Sequence, residues 1–203
     1  MLHKQAVSPK LLELINKLMQ VEAFQNFNLV GGTSLALQIG HRISIDIDLF
    51  GNSEINEIDF NEELSKLGKS QLLKKSKNIL IYNVEGIKVD FVNYKYPLLE
   101  NFDTLETIRM VSLRDIGAMK LNAISGRGSR KDFIDLYFLM EHFSLSELLK
   151  FYKEKYDDGS EFLVLKSLQY FEDAETEDFP EMIIPIVWED LKTKILNEAK
   201  KLI

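Results

Sequence analysis

Residues 44–50 read Ser-Ile-Asp-Ile-Asp-Leu-Phe, and the alternation of polar and apolar residues over 44–49 constrains the chain more than any other segment. A period of two is the signature of a β-strand. Side chains two positions apart share one face of a strand. Ile45, Ile47 and Leu49 are therefore expected to point into a core, with Asp46 and Asp48 side by side on the opposite face. Adjacent carboxylates repel, so they require either a cation or contact with water. The fold must then contain a sheet with one packed face and one open, acidic face.

The surrounding sequence supplies the rest of such a sheet. Ser8-Pro9 reads as the N-cap and first position of a helix, and Leu11, Leu12, Ile15, Leu18 and Met19 recur at helical spacing up to about Phe24. Asn28–Val30 reads as a short strand ending at Gly31-Gly32, and residues 33–39 as a helix stopped by Gly40. Ile58–Leu67 reads as an amphipathic helix. Asn78–Val84 and Ile87–Tyr94 read as a hairpin across the Glu85-Gly86 turn. After Pro97 the texture changes. Ser112/Asp115, Ser129/Asp132 and Ser144/Glu147 each have the spacing of a capping box at a helix start. Two more helices are expected near Ser160–Phe171 and Trp188–Leu202, with Trp188 as a packing anchor. The expected architecture is α+β, with a mixed core over residues 1–110 and a helical lobe over residues 111–203.

Composition narrows the chemistry. The 203 residues include no cysteine, which excludes disulfides, thiol catalysis and cysteine-bound zinc. The three histidines, His3, His41 and His142, form no H-x-x-x-H pair. A bound metal would be held by oxygen ligands, which points to magnesium, manganese or calcium. No apolar run reaches the roughly 20 residues of a membrane helix, and MLHKQAVSPK lacks the apolar core of a signal peptide. A cytoplasmic protein with no membrane partner is expected.

Asp90, in Ile-Lys-Val-Asp-Phe-Val, has Val89 and Phe91 on its opposite face and can bring a third carboxylate beside Asp46 and Asp48. Three carboxylates on neighbouring strands suit two-metal phosphoryl or nucleotidyl transfer. An ordinary solvated sheet face is the plainer reading of a D-x-D pair. Gly31-Gly32-Thr33-Ser34 follows a strand and opens a helix, so its backbone N–H groups can meet a phosphate, with a hydroxyl donated by Ser34 or Thr33. A plain strand-to-helix turn is the alternative. A short helix fills the fourteen positions from Gly32 to Asp46, so turn and carboxylates can meet at one sheet edge.

The stretch Leu29–Phe50, LVGGTSLALQIGHRISIDIDLF, resembles the signature of the nucleotidyltransferase superfamily that includes DNA polymerase β. More narrowly it is similar to the AbiEii/AbiGii-type nucleotidyltransferase toxins of type IV toxin–antitoxin and phage abortive-infection systems. The Asp90 strand and residues 118–139, AMKLNAISGRGSRKDFIDLYFL, extend the resemblance to at least residue 155. It implies a polymerase-β-like fold and transfer of a nucleoside monophosphate from an NTP such as ATP or CTP to an acceptor hydroxyl. The implied acceptor is RNA, a tRNA 3′ end in particular, and the implied partner is a separate antitoxin protein.

The resemblance also assigns roles. Asp46, Asp48 and Asp90 would hold metal. Gly31, Gly32, Thr33 and Ser34 would hold the triphosphate, with Arg42 as a phosphate or nucleobase contact. Lys120 would contact the triphosphate, although a lysine on an apolar helix can also simply snorkel. Arg127 and Lys131, in a basic loop with Arg130, could hold phosphates, or the loop could be a solvated turn. Asp132 would orient the acceptor or assist proton transfer. Asp135 could instead pair with Arg127 or Lys131, and both aspartates also suit a helix N-terminus.

The rival readings are a non-catalytic nucleotide- or partner-binding module on the same fold, and a metal-dependent nuclease or phosphohydrolase. The net charge of −7 looks adverse to a phosphate-bearing ligand. Residues 157–190, however, carry eleven acidic residues and one lysine. The remainder of the chain is net +3, and residues 104–131 are net +4.

Overall fold

The computed structural model describes residues 2–202, with Asp103 described for its backbone only. The chain divides into two compact units. One comprises residues 1–96 and 101–111, the other residues 97–100 and 112–203.

The first unit is built on a seven-stranded sheet. Helix α1 (Pro9–Gln20) starts as its cap predicts, with Ser8 Oγ accepting from Leu11 N and Pro9 at the first position. It is followed by β1 (Asn28–Val30), α2 (Gly31–Ile39), β2 (Ile47–Gly51) and α3 (Glu57–Leu67). Strands β3 (Ser70–Lys75), β4 (Ile79–Val84), β5 (Ile87–Asn93), β6 (Asp103–Leu105) and β7 (Ile108–Met110) complete the unit. The order across the sheet is β3-β4-β5-β2-β1-β7-β6. Strand β2 runs antiparallel to β1 and parallel to β5. The hairpin turns at Glu85 (φ 54°) and Gly86 (φ 87°), the double positive-φ geometry that matches the twist of paired strands.

One face of this sheet is the core. Leu29, Leu49, Val89, Phe91 and Tyr82 are buried there with Leu11, Ile15 and Leu18 of α1 and Phe60 and Leu64 of α3. Phe24, Phe60 and Phe91 form a ring cluster with centroids 4.7–5.0 Å apart. Each such pair contributes about 1 kcal/mol beyond area burial. Arg109 of β7 closes the corner, donating to the carbonyls of Met19, Phe24 and Phe27. Its pKa is lowered by this burial.

The α+β architecture agrees with expectation, and several local details do not. Strand β2 begins at Ile47, so Ser44–Asp46 lie ahead of it and Ile45 is 63% exposed rather than in the core. Helix α2 starts at Gly31 rather than Thr33. The predicted Ser160–Phe171 helix ends earlier, at Ser167. Strands β3, β6 and β7 were not foreseen.

The second unit is helical: α4 (Leu113–Gly126), α5 (Arg130–Leu139), α6 (Leu145–Lys155), α7 (Glu161–Ser167), α8 (Glu172–Glu175) and α9 (Trp188–Lys200). Helix α4 packs against α5, α6 and α7. Of the three expected capping boxes, only Ser144/Glu147 is fully reciprocal. Asp115 turns instead to a strap of chain, accepting from Leu99 N at 3.0 Å and from Lys155 Nζ at 2.7 Å, while Lys155 also donates to the Pro97 carbonyl at 2.6 Å. Ser129 makes no side-chain cap, because its hydroxyl donates to the Asp132 carboxylate at 2.7 Å. Trp188 packs edge-on against Phe133, Phe171 and Phe179.

Candidate active site

The register of β1, β2 and β5 brings two of the sequence-predicted carboxylates together. Asp48 lies directly opposite Val30 on one side and Asp90 on the other. The core-face row beside it is Leu29, Leu49 and Phe91. Asp48 and Asp90 therefore share the face that the core does not use, as neighbours on parallel strands.

Gly31 follows Val30 directly and has φ 68°. A Cβ at this position would lie 2.6 Å from Asp48 Oδ2. Only glycine gives both this backbone conformation and room for the carboxylate. The sequence needs its first glycine to seat Asp48, as well as to open the helix. Gly32 is part-buried in the first turn of α2, where backbone N–H groups lack intrahelical acceptors.

Behind the turn, Thr33 and Ser34 are buried and engaged inside the unit. Thr33 Oγ1 is within reach of Ser44 Oγ (2.7 Å) and of the Asp46 carbonyl oxygen. With one proton to give, Thr33 donates to the carbonyl and accepts from Ser44. Gln38 Nε2 donates to Ser34 Oγ at 3.1 Å and to the Val111 carbonyl at 3.1 Å. Arg42 is also buried, its Nη1 donating to the Ile43 carbonyl at 3.0 Å. Asp46 is part-buried and stands before β2, so the strand pleat does not hold its side chain on the face of Asp48.

Asp90 has a cationic neighbour that sequence reading missed. Lys88, two residues earlier on β5 and on the same face, donates to Asp90 Oδ2 at 2.6 Å. Asp90 Oδ1 is buried and accepts no hydrogen bond among the described residues. The i, i+2 spacing of Lys88 and Asp90 was the available signal.

In the second unit, Lys120 of α4 lies between two buried carboxylates of α5, 2.9 Å from Asp132 Oδ1 and 2.6 Å from Asp135 Oδ2. Arg127 Nε donates to Asp132 Oδ2 at 3.0 Å, while most of the Arg127 side chain is exposed. Burial pushes Asp132 up, but the Lys120 charge and the Arg127 hydrogen bond outweigh it and hold its pKa at about 2. Asp135 thus pairs with Lys120, a partner on α4 that its position in the sequence did not suggest. Lys131 is exposed. Arg130 is tied down elsewhere, donating to the Ala174 and Glu175 carbonyls and lying 5.0 Å from the Trp188 ring centroid.

Comparison with known proteins identifies the chain. The family model "Nucleotidyl transferase AbiEii toxin, Type IV TA system" matches residues 13–101 and 85–201. The chain belongs to the AbiEii nucleotidyltransferase toxin family. An uncharacterized protein of Aquifex aeolicus (strain VF5) is 37% identical over 195 residues, covering 93% of this chain and 94% of its own length. Among solved structures, the nucleotidyltransferase toxin MenT4 of Mycobacterium tuberculosis H37Rv aligns with a TM-score of 0.61 at 16% identity, over 93% of this chain and 82% of that one. JHP933 from Helicobacter pylori aligns with a TM-score of 0.58 at 18% identity, over 97% and 93%. These structures share the nucleotidyltransferase fold with this chain.

The chain is thus a nucleotidyltransferase, and its carboxylates can be tested against a divalent ion. Among the described residues no three acidic or histidine side chains converge as a ready metal cage. Strand pairing places Asp48 beside Asp90, while Asp46 lies one residue ahead of β2. The pair itself suits a hard cation: oxygen donors on neighbouring strands, and a buried Asp90 oxygen with its acceptor capacity unspent. Among the described residues no helix is long and apolar enough to cross a membrane.

Proposed function

We propose that this protein transfers a nucleoside monophosphate from an NTP to a hydroxyl of RNA, a tRNA 3′ end in particular, as the toxin of a two-component defence system. The observation that carries the reading is the register that sets Asp48 opposite Asp90 with Gly31 against the Asp48 carboxylate. Family membership supports the toxin role and a separate antitoxin protein as partner. The cytoplasm is the compartment that such a role implies.

In this reading the backbone of Gly31 and Gly32 cradles the triphosphate at the start of α2. Thr33 and Ser34 support it from behind, Thr33 by fixing the Asp46 carbonyl and Ser34 through Gln38. Arg42 braces the approach to β2 through the Ile43 carbonyl. Asp48 and Asp90, with Asp46 swung in from the preceding segment, would hold Mg²⁺ or Mn²⁺. When bound, such an ion supplies positive charge to the phosphate oxygens. The Asp90 carboxylate takes the proton of the acceptor hydroxyl. The hydroxyl oxygen bonds to the α-phosphorus, the bond from that phosphorus to the bridging oxygen breaks, and pyrophosphate leaves with the electron pair. Positioning and electrostatics carry most of such a transfer.

Lys120 is a positioning residue in this scheme. It holds Asp132 and Asp135 and so fixes the start of α5, where Arg127 and Lys131 offer exposed charge to phosphates. Asp132 orients Arg127 through their shared hydrogen bonds.

The test is incubation of the folded protein with α-³²P-labelled NTPs, Mg²⁺ and total RNA, beside Asp48→Asn and Asp90→Asn. RNA that gains label and lengthens with the wild type alone is the expected result. RNA that shortens would replace transfer with hydrolysis. No label on RNA, protein or small molecule would end the transferase reading of this site.

A further inference from the structure

The carboxylate face of the sheet continues into aromatic rings. Phe50 is two residues beyond Asp48 on β2, and alternation puts it on the same face, about 6.6 Å along the strand. On β5 the same alternation runs Lys88, Asp90, Val92 and on to Tyr94, whose N–H donates to the Gly51 carbonyl at 2.8 Å and so extends the ladder. The rings meet. Phe50 and Tyr94 have centroids 5.0 Å apart, and Tyr94 and Tyr96 have centroids 5.2 Å apart. Phe50 and Tyr94 are half-buried and Tyr96 is 37% exposed, so the row is not sealed into the core.

The order of features along this face is set by strand pairing. Strands β1 and β2 are antiparallel, with Val30 opposite Asp48 and Asn28 opposite Phe50. Gly31 therefore lies toward the Asp46 end of the carboxylate pair, and the aromatic row lies toward the other end. In nucleotidyl transfer the attacking and leaving oxygens are roughly in line through the phosphorus. A triphosphate cradled at the glycine turn sends pyrophosphate out at that end. The attacking hydroxyl must then approach from the aromatic end.

We infer that Phe50, Tyr94 and Tyr96 form the acceptor subsite, a stacking platform for the unpaired terminal bases of a single-stranded RNA 3′ end. The inference rests on the transferase reading for its direction and on the ring row for its chemistry. Aromatic side chains bind single-stranded bases through their π-faces, without needing a particular sequence. A protein hydroxyl as acceptor would make little use of three rings in a row.

The test separates binding from turnover. Fluorescence anisotropy of a 5′-fluorescein single-stranded RNA 12-mer, and of the same sequence as a blunt duplex, is measured on the full-length protein without NTP. The wild type is expected to favour the single strand. Tyr96→Ala and Tyr94→Leu are each expected to weaken single-strand binding about ten-fold, the usual effect of losing one stacked base. Tyr94→Phe, which keeps the ring, should restore most of it. In transfer assays the same variants should raise KM for RNA and leave KM for NTP unchanged. Circular dichroism confirms that each variant is folded. Unchanged RNA binding in folded Tyr96→Ala and Tyr94→Leu would overturn the platform, as would equal affinity for the duplex or label found on protein at wild-type rate in both variants. A wild type that binds the single strand through these rings but transfers no label would instead overturn the transferase reading and leave the platform standing.

Discussion

Gly31 and Asp48 compete for one volume: a side chain on the first would begin 2.6 Å from the carboxylate oxygen of the second. Gly31→Ala must therefore displace Asp48 and also place a Cβ at φ 68°. The backbone alone costs about 1–2 kcal/mol. The expected outcome is a fall in transfer of at least about 100-fold, since misplacing a reacting group by about 1 Å has that effect. The thermal midpoint should drop by only several degrees. Parallel label-transfer and melting measurements check this, and activity falling only in proportion to folded protein would contradict it.

Lys88 sits where a divalent ion would draw on Asp90. Replacing it with methionine removes a competing cation and keeps the stem. Lys88→Met is expected to bind Mn²⁺ several-fold more tightly than wild type, read by electron paramagnetic resonance of free Mn²⁺ without nucleotide. Equal or weaker binding would mean that Lys88 supports the site instead of competing for it.

Asp132 makes stability depend on acid. Its pKa in the folded chain is about 2, against an ordinary 3.8, so the folded state binds fewer protons than the unfolded chain between these values. The resulting stabilisation is fully present above about pH 4 and disappears as pH falls through about 2. Its size is about 2 kcal/mol. The stability gap between wild type and Asp132→Asn should shrink by that amount from pH 6 to pH 2 in urea titrations. A gap that stays constant over this range would remove the charge explanation.

Lys120 holds two buried carboxylates at once. Lys120→Met leaves both without that charge and is expected to cost about 3–5 kcal/mol, as broken buried ion pairs do. Lys120→Met combined with Asp135→Asn should be less destabilised than the sum of the single changes, because one stranded charge is gone. Additive urea-unfolding energies would show that the three groups are not coupled.

The parts of the fold legible in sequence were those with local signals. Ser8-Pro9 marked α1, Glu85-Gly86 marked the hairpin, and the run after Pro97 marked the helices. Strand β3 escaped because it is an edge strand, largely solvent-facing, with two lysines closing its six residues. Edge strands carry little apolar alternation. Strands β6 and β7 are three residues each and gain their identity from pairing with each other and with β1. Ser44–Asp46 have the alternation of a strand without its partners, which is why Ile45 was assigned to a core face that the pleat does not give it.

In the candidate site, Asp48, Asp90 and the glycine turn were legible because strand period and turn chemistry are local. The partner of Lys120 was not. Asp132 and Asp135 are one helical turn apart, and either could have faced α4. Only the packing of α5 on α4 shows that both carboxylates reach the same ammonium group.

The path of the chain has a consequence for how the protein can be divided. It leaves the first unit after Tyr96, gives residues 97–100 to the second, returns for β6 and β7, and crosses again at Ser112. A fragment beginning at Ser112 would lack the strap whose backbone meets Asp115 and Lys155. That fragment would keep a buried ion pair with one wall missing. The two units are thus interleaved in sequence, and neither could have been inherited, swapped or expressed as a single contiguous cassette without rebuilding that strap.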